Sequence, residues 1–258
     1  MGAQPLVIAA IFACMVMLAG WFWQLRSSNA GIVDALWSFG IGATAVFYAA
    51  TGEGDTITRI VVACISGFWF FRLGVHLLAR VVSEPEDGRY QAIRRFFGRR
   101  TNVFHFLYFQ AQALLVWVCA LPMWVVANNP VKLSPVIIGA AVVIAVIAFA
   151  GETIADKQLA RFRADPDNRG KTCRSGLWRY SRHPNYFFEW LHWFAYPLLA
   201  LGAQSAVWVW LAPVGMFLFL YFITGIPYTE QQALRSRGDD YRDYQNTTSA
   251  FIPWRPKA

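Results

Sequence analysis

Long apolar stretches separated by short polar segments dominate the pattern of this chain. A bilayer core of roughly 30 Å needs about 20 apolar residues of helix. Seven stretches approach that length, covering residues 5–25, 32–51, 57–82, 104–127, 135–154, 186–203 and 207–226. The stretch 186–203 is short, and Glu189, His192 and Pro197 interrupt it. The pattern predicts an all-α integral membrane protein with about seven transmembrane helices.

The distribution of basic residues predicts how these helices are oriented. The chain has 23 lysines and arginines, and nearly all of them follow the first, third, fifth and seventh stretches. Only Arg59 and Lys132 fall on the opposite side, while Arg72 lies within the third stretch. Because basic residues accumulate in cytoplasmic loops, we expect the N-terminus outside and the C-terminus in the cytoplasm.

Composition supports this reading and excludes several classes of protein. Apolar residues make up 57% of the chain and charged residues 15%, whereas soluble domains have about 45–50% and about 25%. The high apolar content excludes a disordered chain, and four cysteines without a CxxC pair exclude a disulfide scaffold. Basic residues in the predicted cytoplasmic loops account for the formal net charge of +8, so no nucleic-acid partner is predicted.

Ionisable residues inside the apolar stretches are the first candidates for function. Such groups are costly in a bilayer and mark functional positions by default. They are Asp34, Arg72, His76, Glu152, Asp156, Glu189 and His192. They predict a polar cavity open to the cytoplasm; the alternative, most relevant to Glu152 and Asp156, is an interfacial anchor.

The basic segment 156–182 and the start of the next stretch form a second candidate region. Its arginine forks suit phosphate oxygens, although anionic lipid headgroups would also attract this charge. Trp178, Tyr180 and Tyr186 lie among the basic residues, which favours a ligand with both phosphates and rings. Asn185 and Glu189 are four apart and share a helix face, either as a clamp for a carboxamide such as nicotinamide or as a helix-pairing contact.

Other catalytic patterns are missing from the sequence. It has no GxGxxG motif, no HExxH motif and no nucleophile elbow. Its four histidines are not spaced like a histidine-box metal site. We therefore predict no metal centre.

Residues 176–190 read GLWRYSRHPNYFFEW and resemble the C-terminal domain of the steroid 5α-reductase family. They resemble in particular its uncharacterised bacterial branch, the domain of unknown function 1295. DYRDYQ at 240–245 and IVDALW at 32–37 fit the same branch. The RHPNY motif is also similar to that of sterol reductases and isoprenylcysteine carboxyl methyltransferases, so it indicates the superfamily better than the reaction.

The resemblance implies one membrane domain, 1–258, with helices on the substrate side in 1–127 and a cofactor half in 135–258. NADPH would enter the cofactor half from the cytoplasm. Lys171 stands where the steroid enzymes usually have arginine. The cofactor-binding residues implied are Asp156, Arg163, Lys171, Arg179, Tyr180, Arg182, His183, Asn185, Glu189, Glu230, Tyr241 and Tyr244.

The resemblance is weaker where the substrate would bind. Steroid reductases polarise the substrate ketone with a glutamate on the second helix and a tyrosine on the third. Asp34 would replace the glutamate, but the tyrosine position falls near Trp69, which has no hydroxyl. The implied catalytic residues are Asp34, His76 and Arg72. Asp34, protonated by burial, would be the donor, and His76, one turn after Arg72, is the alternative donor.

The expected function is NADPH-dependent reduction of a C=C bond, conjugated to a carbonyl, in a hydrophobic steroid-like or lipid substrate. A methyltransferase using S-adenosylmethionine and a non-catalytic lipid-binding protein are the alternatives. Membrane lipids and the hydrophobic substrate are the expected partners, and the bacterial inner membrane is the expected location. The sequence leaves the oligomeric state open.

Overall fold

The computed structural model describes residues 2–257, and every regular element in that range is helical. The first helices are α1 (Gln4–Ser27), α2 (Ile32–Thr51), α3 (Thr56–Ser83), α4 (Gly88–Phe97), α5 (Thr101–Ala127) and α6 (Pro135–Ala164). The later ones are α7 (Pro184–His192), α8 (Ala195–Leu199), α9 (Ala206–Val209), α10 (Leu211–Leu218), α11 (Ile226–Arg237) and α12 (Asp239–Thr247). A π-helical turn, Phe219–Ile223, joins α10 to α11.

Six of the helical segments are long and apolar enough to cross a membrane. They are Gln4–Ser27, Ile32–Thr51, Thr56–Ser83, Gly88–Ala127, Pro135–Ala164 and Ala206–Arg237. Large apolar side chains lie exposed along them, such as Phe12 on α1, Phe71 on α3 and Ile147 on α6. Exposed apolar surface of this extent is typical of lipid contact. The predicted all-helical, multi-pass membrane class is therefore confirmed.

Residues 186–203 do not form one continuous helix. The structure has α7 and α8 there, separated by a turn at 193–194. Pro197 explains the break, because a proline lacks the backbone N–H and its ring clashes with the carbonyl four residues earlier. That carbonyl belongs to Trp193.

The chain divides into two compact units. The first runs up to Ser134 and includes Leu199–Val209, and the second comprises Pro135–Leu198 and the chain from Trp210 onward.

In the first unit, α2 packs against α1, α3 and α5. Small residues bring these helices together, as is common in membrane bundles. A Cβ on Gly42 would lie 3.0 Å from the Phe70 Cβ, and one on Gly40 would lie 3.1 Å from a Val116 methyl. The Ser38 hydroxyl donates a 2.7 Å hydrogen bond to the Phe70 carbonyl.

In the second unit, α7 packs along α6. The Trp178 indole N–H reaches back to the Ala155 carbonyl of α6 at 2.9 Å. The end of the chain runs beside the segment that precedes α7, because the Arg182 N–H donates to the Ser249 carbonyl and the Trp254 N–H to the Tyr180 carbonyl, both at 2.9 Å. These contacts fix the segment that leads into α7.

Two glycines of α6 provide a matched test of the α6–α7 contact. A Cβ on Gly151 would overlap the Phe188 ring of α7, whereas a Cβ on Gly139 would meet nothing within 4 Å. We expect Gly151→Ala to destabilise the protein by about 1–3 kcal/mol through overpacking. Gly139→Ala should stabilise it by up to about 1 kcal/mol because alanine favours helix. Thermal unfolding in detergent measures both changes, and equal shifts for the two variants would contradict the packing.

Candidate functional site

The first candidate site lies in the first unit, where Asp34 meets two residues of α4. The Arg89 guanidinium donates to the Asp34 carboxylate at 3.0 Å, and the Tyr90 hydroxyl donates to its other oxygen at 2.8 Å. Tyr90 is only 1% exposed, while 28% of the Asp34 side chain remains exposed. We call Asp34, Arg89 and Tyr90 the Asp34 cluster. It places a carboxylate and a hydroxyl side by side, which is an arrangement suited to holding or donating a proton.

The Asp34 cluster borders an open cleft with about 360 Å³ of empty space, part of it solvent. The residues around it come from the start of α2, the end of α3 and the following loop. Asn29, Asp34, Leu77, Arg80, Asp87 and Arg89 are among them. Asp87 fixes Arg89 in place, since its carboxylate caps α4 and accepts from the Arg89 backbone N–H at 2.9 Å and side chain at 3.1 Å.

The other two predicted catalytic residues lie on α3, away from the cluster's hydrogen bonds. The Arg72 guanidinium lies over the Trp69 ring, 5.3 Å from its centroid. His76 is exposed. Of the described residues, those lining the cleft include Asp34 but neither Arg72 nor His76. The sequence interpretation missed Arg89 and Tyr90, although Asp87 followed by GRYQAIRRFF is a capped helix start that could have been recognised.

A second polar network holds α4 against the first unit. Arg94 binds both carboxylate oxygens of Glu86, at 2.8 and 3.0 Å, and reaches the Gln24 side-chain oxygen of α1 at 3.2 Å. Glu86 also accepts from the Ala30 N–H at 2.7 Å. His105 of α5 contacts the same Gln24 oxygen at 3.3 Å. The position of Tyr90 and Arg89 on Asp34 therefore depends on contacts with α1 and α5.

In the second unit, three predicted cofactor residues lie on facing helices. Asn185, in the first turn of α7, donates to the Asp156 carboxylate of α6 at 3.4 Å. Glu189 lies one turn further along α7 and accepts from the Trp193 indole at 3.4 Å. Thr153, one turn before Asp156, has a buried hydroxyl with no hydrogen-bond partner among the described residues. We call Thr153, Asp156, Asn185 and Glu189 the Asn185 face, and its donors and acceptors match an amide-bearing ring.

Five other predicted cofactor residues bind one another and the backbone. Glu230 accepts from Arg182 at 2.7 Å, from Gln245 at 2.7 Å and from Tyr241 at 3.4 Å, and His183 lies 3.3 Å away. We call four of the five, Arg182, His183, Glu230 and Tyr241, together with Gln245, which was not predicted, the Glu230 cluster; the fifth is Tyr244. Because these groups already have protein partners, their geometry supports a role in holding the chain rather than in reaching a ligand.

Arg182 and Tyr244 attach this cluster to neighbouring backbone. Arg182 also donates to the Gln245 and Thr248 carbonyls, at 3.0 and 2.7 Å. The Tyr244 hydroxyl donates to the Trp178 carbonyl and, at 3.1 Å, to the Ser181 carbonyl. Burial raises the pKa of Tyr241 and Tyr244 above their ordinary values. Both hydroxyls therefore keep their protons and act as donors.

The remaining predicted cofactor residues are exposed around the loop between α6 and α7. Arg163, Lys171, Arg179 and Tyr180 all lie at the surface. Next to Lys171, the Thr172 hydroxyl is buried and lacks a hydrogen-bond partner in the described range. Exposed arginine and lysine charges beside an unsatisfied hydroxyl suit a phosphate group. Within residues 2–257, no group of three histidine, cysteine, aspartate or glutamate side chains is placed to hold a metal ion.

Comparisons with known proteins match the chain over most of its length. A family model described as "Protein of unknown function (DUF1295)" matches residues 20–248. A protein of Schizosaccharomyces pombe, described as uncharacterized protein C594.04c, is 24% identical over an alignment covering 97% of this chain and 80% of that protein. Neither description states an activity.

His183 predicts how stability depends on pH. It is 2% exposed, and burial lowers its pKa below 6.5, although the nearby Glu230 carboxylate acts in the opposite direction. Below a pH of about 6.5, the His183 imidazole therefore binds a proton in the unfolded chain but not in the folded protein. This difference lowers the free energy of unfolding as the pH falls. We expect the Tm to fall from pH 7 to pH 5, and His183→Gln to reduce that fall. An unchanged pH profile in the variant would contradict the assignment.

Proposed function

The chain belongs to the DUF1295 family, and we propose that it is a membrane-embedded, NADPH-dependent oxidoreductase. Its reaction would reduce a C=C bond, conjugated to a carbonyl, in a hydrophobic steroid-like or lipid substrate. The Asn185 face is the observation that carries this proposal. It combines a carboxamide, two carboxylates and an unsatisfied hydroxyl on two packed helices of one unit.

The residues present fit the parts of NADPH. When bound, NADPH supplies a hydride for the carbon β to the carbonyl. Asn185 and Glu189 would orient the nicotinamide, since an amide and a carboxylate together satisfy both its carbonyl and its NH₂ group. Arg163, Arg179 and Lys171 would bind the phosphates from the exposed loop. The Glu230 cluster would hold the segment between this loop and α7 in place.

The Asp34 cluster is the proposed source of the donor for the substrate oxygen. A well-placed donor to a developing oxyanion is worth about 3–4 kcal/mol. Asp34 remains a proposed donor to the substrate oxygen. Tyr90 supplies the hydroxyl that is missing at Trp69, near which the tyrosine position of steroid reductases falls. The Tyr90 hydroxyl lies 2.8 Å from the Asp34 carboxyl, so Tyr90 and Asp34 are the two candidate donors.

The proposal includes the membrane topology. We propose seven crossings, with the N-terminus outside, the C-terminus in the cytoplasm and α7 with α8 as the sixth, broken crossing. The uneven distribution of lysine and arginine supports this orientation. It would place the loop between α6 and α7 in the cytoplasm, where NADPH is present. The resemblance to a bacterial branch supports the inner membrane of a bacterium as the location.

Thermal unfolding of the detergent-solubilised protein, measured with and without each candidate cofactor, tests which cofactor it binds. NADPH at 100 times its dissociation constant should stabilise the native protein by about 2.7 kcal/mol. NADH and S-adenosylmethionine are titrated in parallel. We expect Glu189→Ala to lose the NADPH response. Asp243→Ala, which removes an exposed carboxylate from α12 of the same unit, should keep it.

Two results of this titration would overturn the proposal. Stabilisation by S-adenosylmethionine alone would indicate a methyltransferase. No response to any of the three compounds, with the protein folded, would favour the non-catalytic lipid-binding alternative.

A further inference from the structure

The six arginines from the end of α3 to the start of α5 divide into two groups of three. Arg80, Arg89 and Arg94 each have a carboxylate partner, which is Glu84, Asp34 and Glu86 respectively. Arg95, Arg99 and Arg100 are exposed and form no ion pair with the described part of the chain. Arg89 and Arg94 hold α4 in the fold, whereas the second group leaves three positive charges at the C-terminal end of α4 and in the turn after it.

An aromatic side chain lies among these unpaired charges. Phe96 is 83% exposed, while its neighbour Phe97 stacks on Phe104 of α5, with ring centroids 4.1 Å apart. The stacking fixes the turn at Gly98, whose φ of +49° allows α5 to begin three residues later. Phe96, the penultimate residue of α4, therefore remains exposed, although burying a phenylalanine side chain is normally favourable.

This turn lies where the chain enters an apolar helix. The candidate membrane span Gly88–Ala127 includes it, and Val103, in the first turn of α5, is 64% exposed. Exposed apolar groups bordered by arginines are typical of segments at the boundary between headgroups and acyl chains. Basic clusters there attract anionic lipids.

We propose that Arg95, Phe96, Arg99 and Arg100 form a binding site for an anionic phospholipid of the surrounding leaflet. The arginines would pair with the headgroup phosphate, and Phe96 would contact the acyl region. The same α4 carries Arg89 and Tyr90 in its first turn, in contact with Asp34. A lipid at this site therefore braces the helix that forms one wall of the Asp34 cleft. This inference does not depend on the reductase proposal, because it requires no cofactor.

Lipid retention by the purified full-length protein tests the site. Phosphatidylglycerol and phosphatidylcholine are titrated into detergent-solubilised protein, and bound lipids are counted by native mass spectrometry. The test variant is Arg95→Gln/Arg99→Gln/Arg100→Gln. The matched control, Arg235→Gln/Arg255→Gln/Lys257→Gln, removes the same exposed charge from the second unit.

We expect the wild type to prefer phosphatidylglycerol, and the test variant to bind it at least tenfold more weakly. The control should change by less than twofold, and helix content by circular dichroism should be the same in all three proteins. Equal binding of the two lipids by the wild type would overturn the proposal. So would a test variant within twofold of the wild type, or an equal loss in the control.

Hydrogen exchange in nanodiscs provides a second, independent readout. Amides of residues 88–100 should exchange more slowly in phosphatidylglycerol discs than in phosphatidylcholine discs. Phe96→Ser should lose most of that protection because the acyl contact is removed. Exchange that is insensitive to the lipid in the wild type would contradict the proposed bracing of α4.

Discussion

A charged side chain that is withdrawn from solvent in a largely apolar protein needs a counter-charge from the protein itself, and ion pairs of this kind hold key segments in both units of this molecule. In the first unit, Asp34 and Glu86 bind Arg89 and Arg94, and these pairs fix α4 on the fold. In the second, Glu230 binds Arg182, which in turn donates to backbone near the end of the chain. The pair of Arg182 with Glu230 is the most buried of the three, with 12% and 15% of the two side chains exposed, so the segment before α7 depends most strongly on its ion pair.

The same requirement separates residues that hold the fold from residues able to bind a ligand. Glu230 and its partners satisfy one another, so they can position the segment before α7 without contacting a ligand. Thr153 is different, because its buried hydroxyl lacks a partner within residues 2–257 and it lies beside Asp156. Asp34 meets both descriptions, since its carboxylate has a protein partner and also borders an open cleft. The proposed function therefore uses the Asn185 face and the Asp34 cluster, and gives the Glu230 cluster a structural role.

Apolar periodicity was sufficient to predict the long helices, because a stretch of about 20 apolar residues has few alternatives to a spanning helix. It marked 186–203 as short and interrupted by Pro197 but did not place the break at 193–194, since the effect of Pro197 falls on a carbonyl one turn away. Apolar periodicity gives no information on which distant segments contact one another. Arg89 appeared only as a loop charge, yet it lies 3.0 Å from Asp34, 55 positions earlier in the chain. Likewise, nothing local to Arg182 indicates that Glu230 is its partner, because tertiary packing alone brings them together.

Transfer of a labelled hydride distinguishes a reductase from the alternatives. Membranes containing the protein would be incubated with NADPH deuterated at the transferable C4 position and with a lipid extract containing unsaturated ketones. We expect deuterium in a lipid that has lost a C=C bond, little of it with Glu189→Ala, and slower incorporation with Tyr90→Phe. Deuterium in no lipid, together with transfer of a labelled methyl group from S-adenosylmethionine, would contradict the reductase proposal.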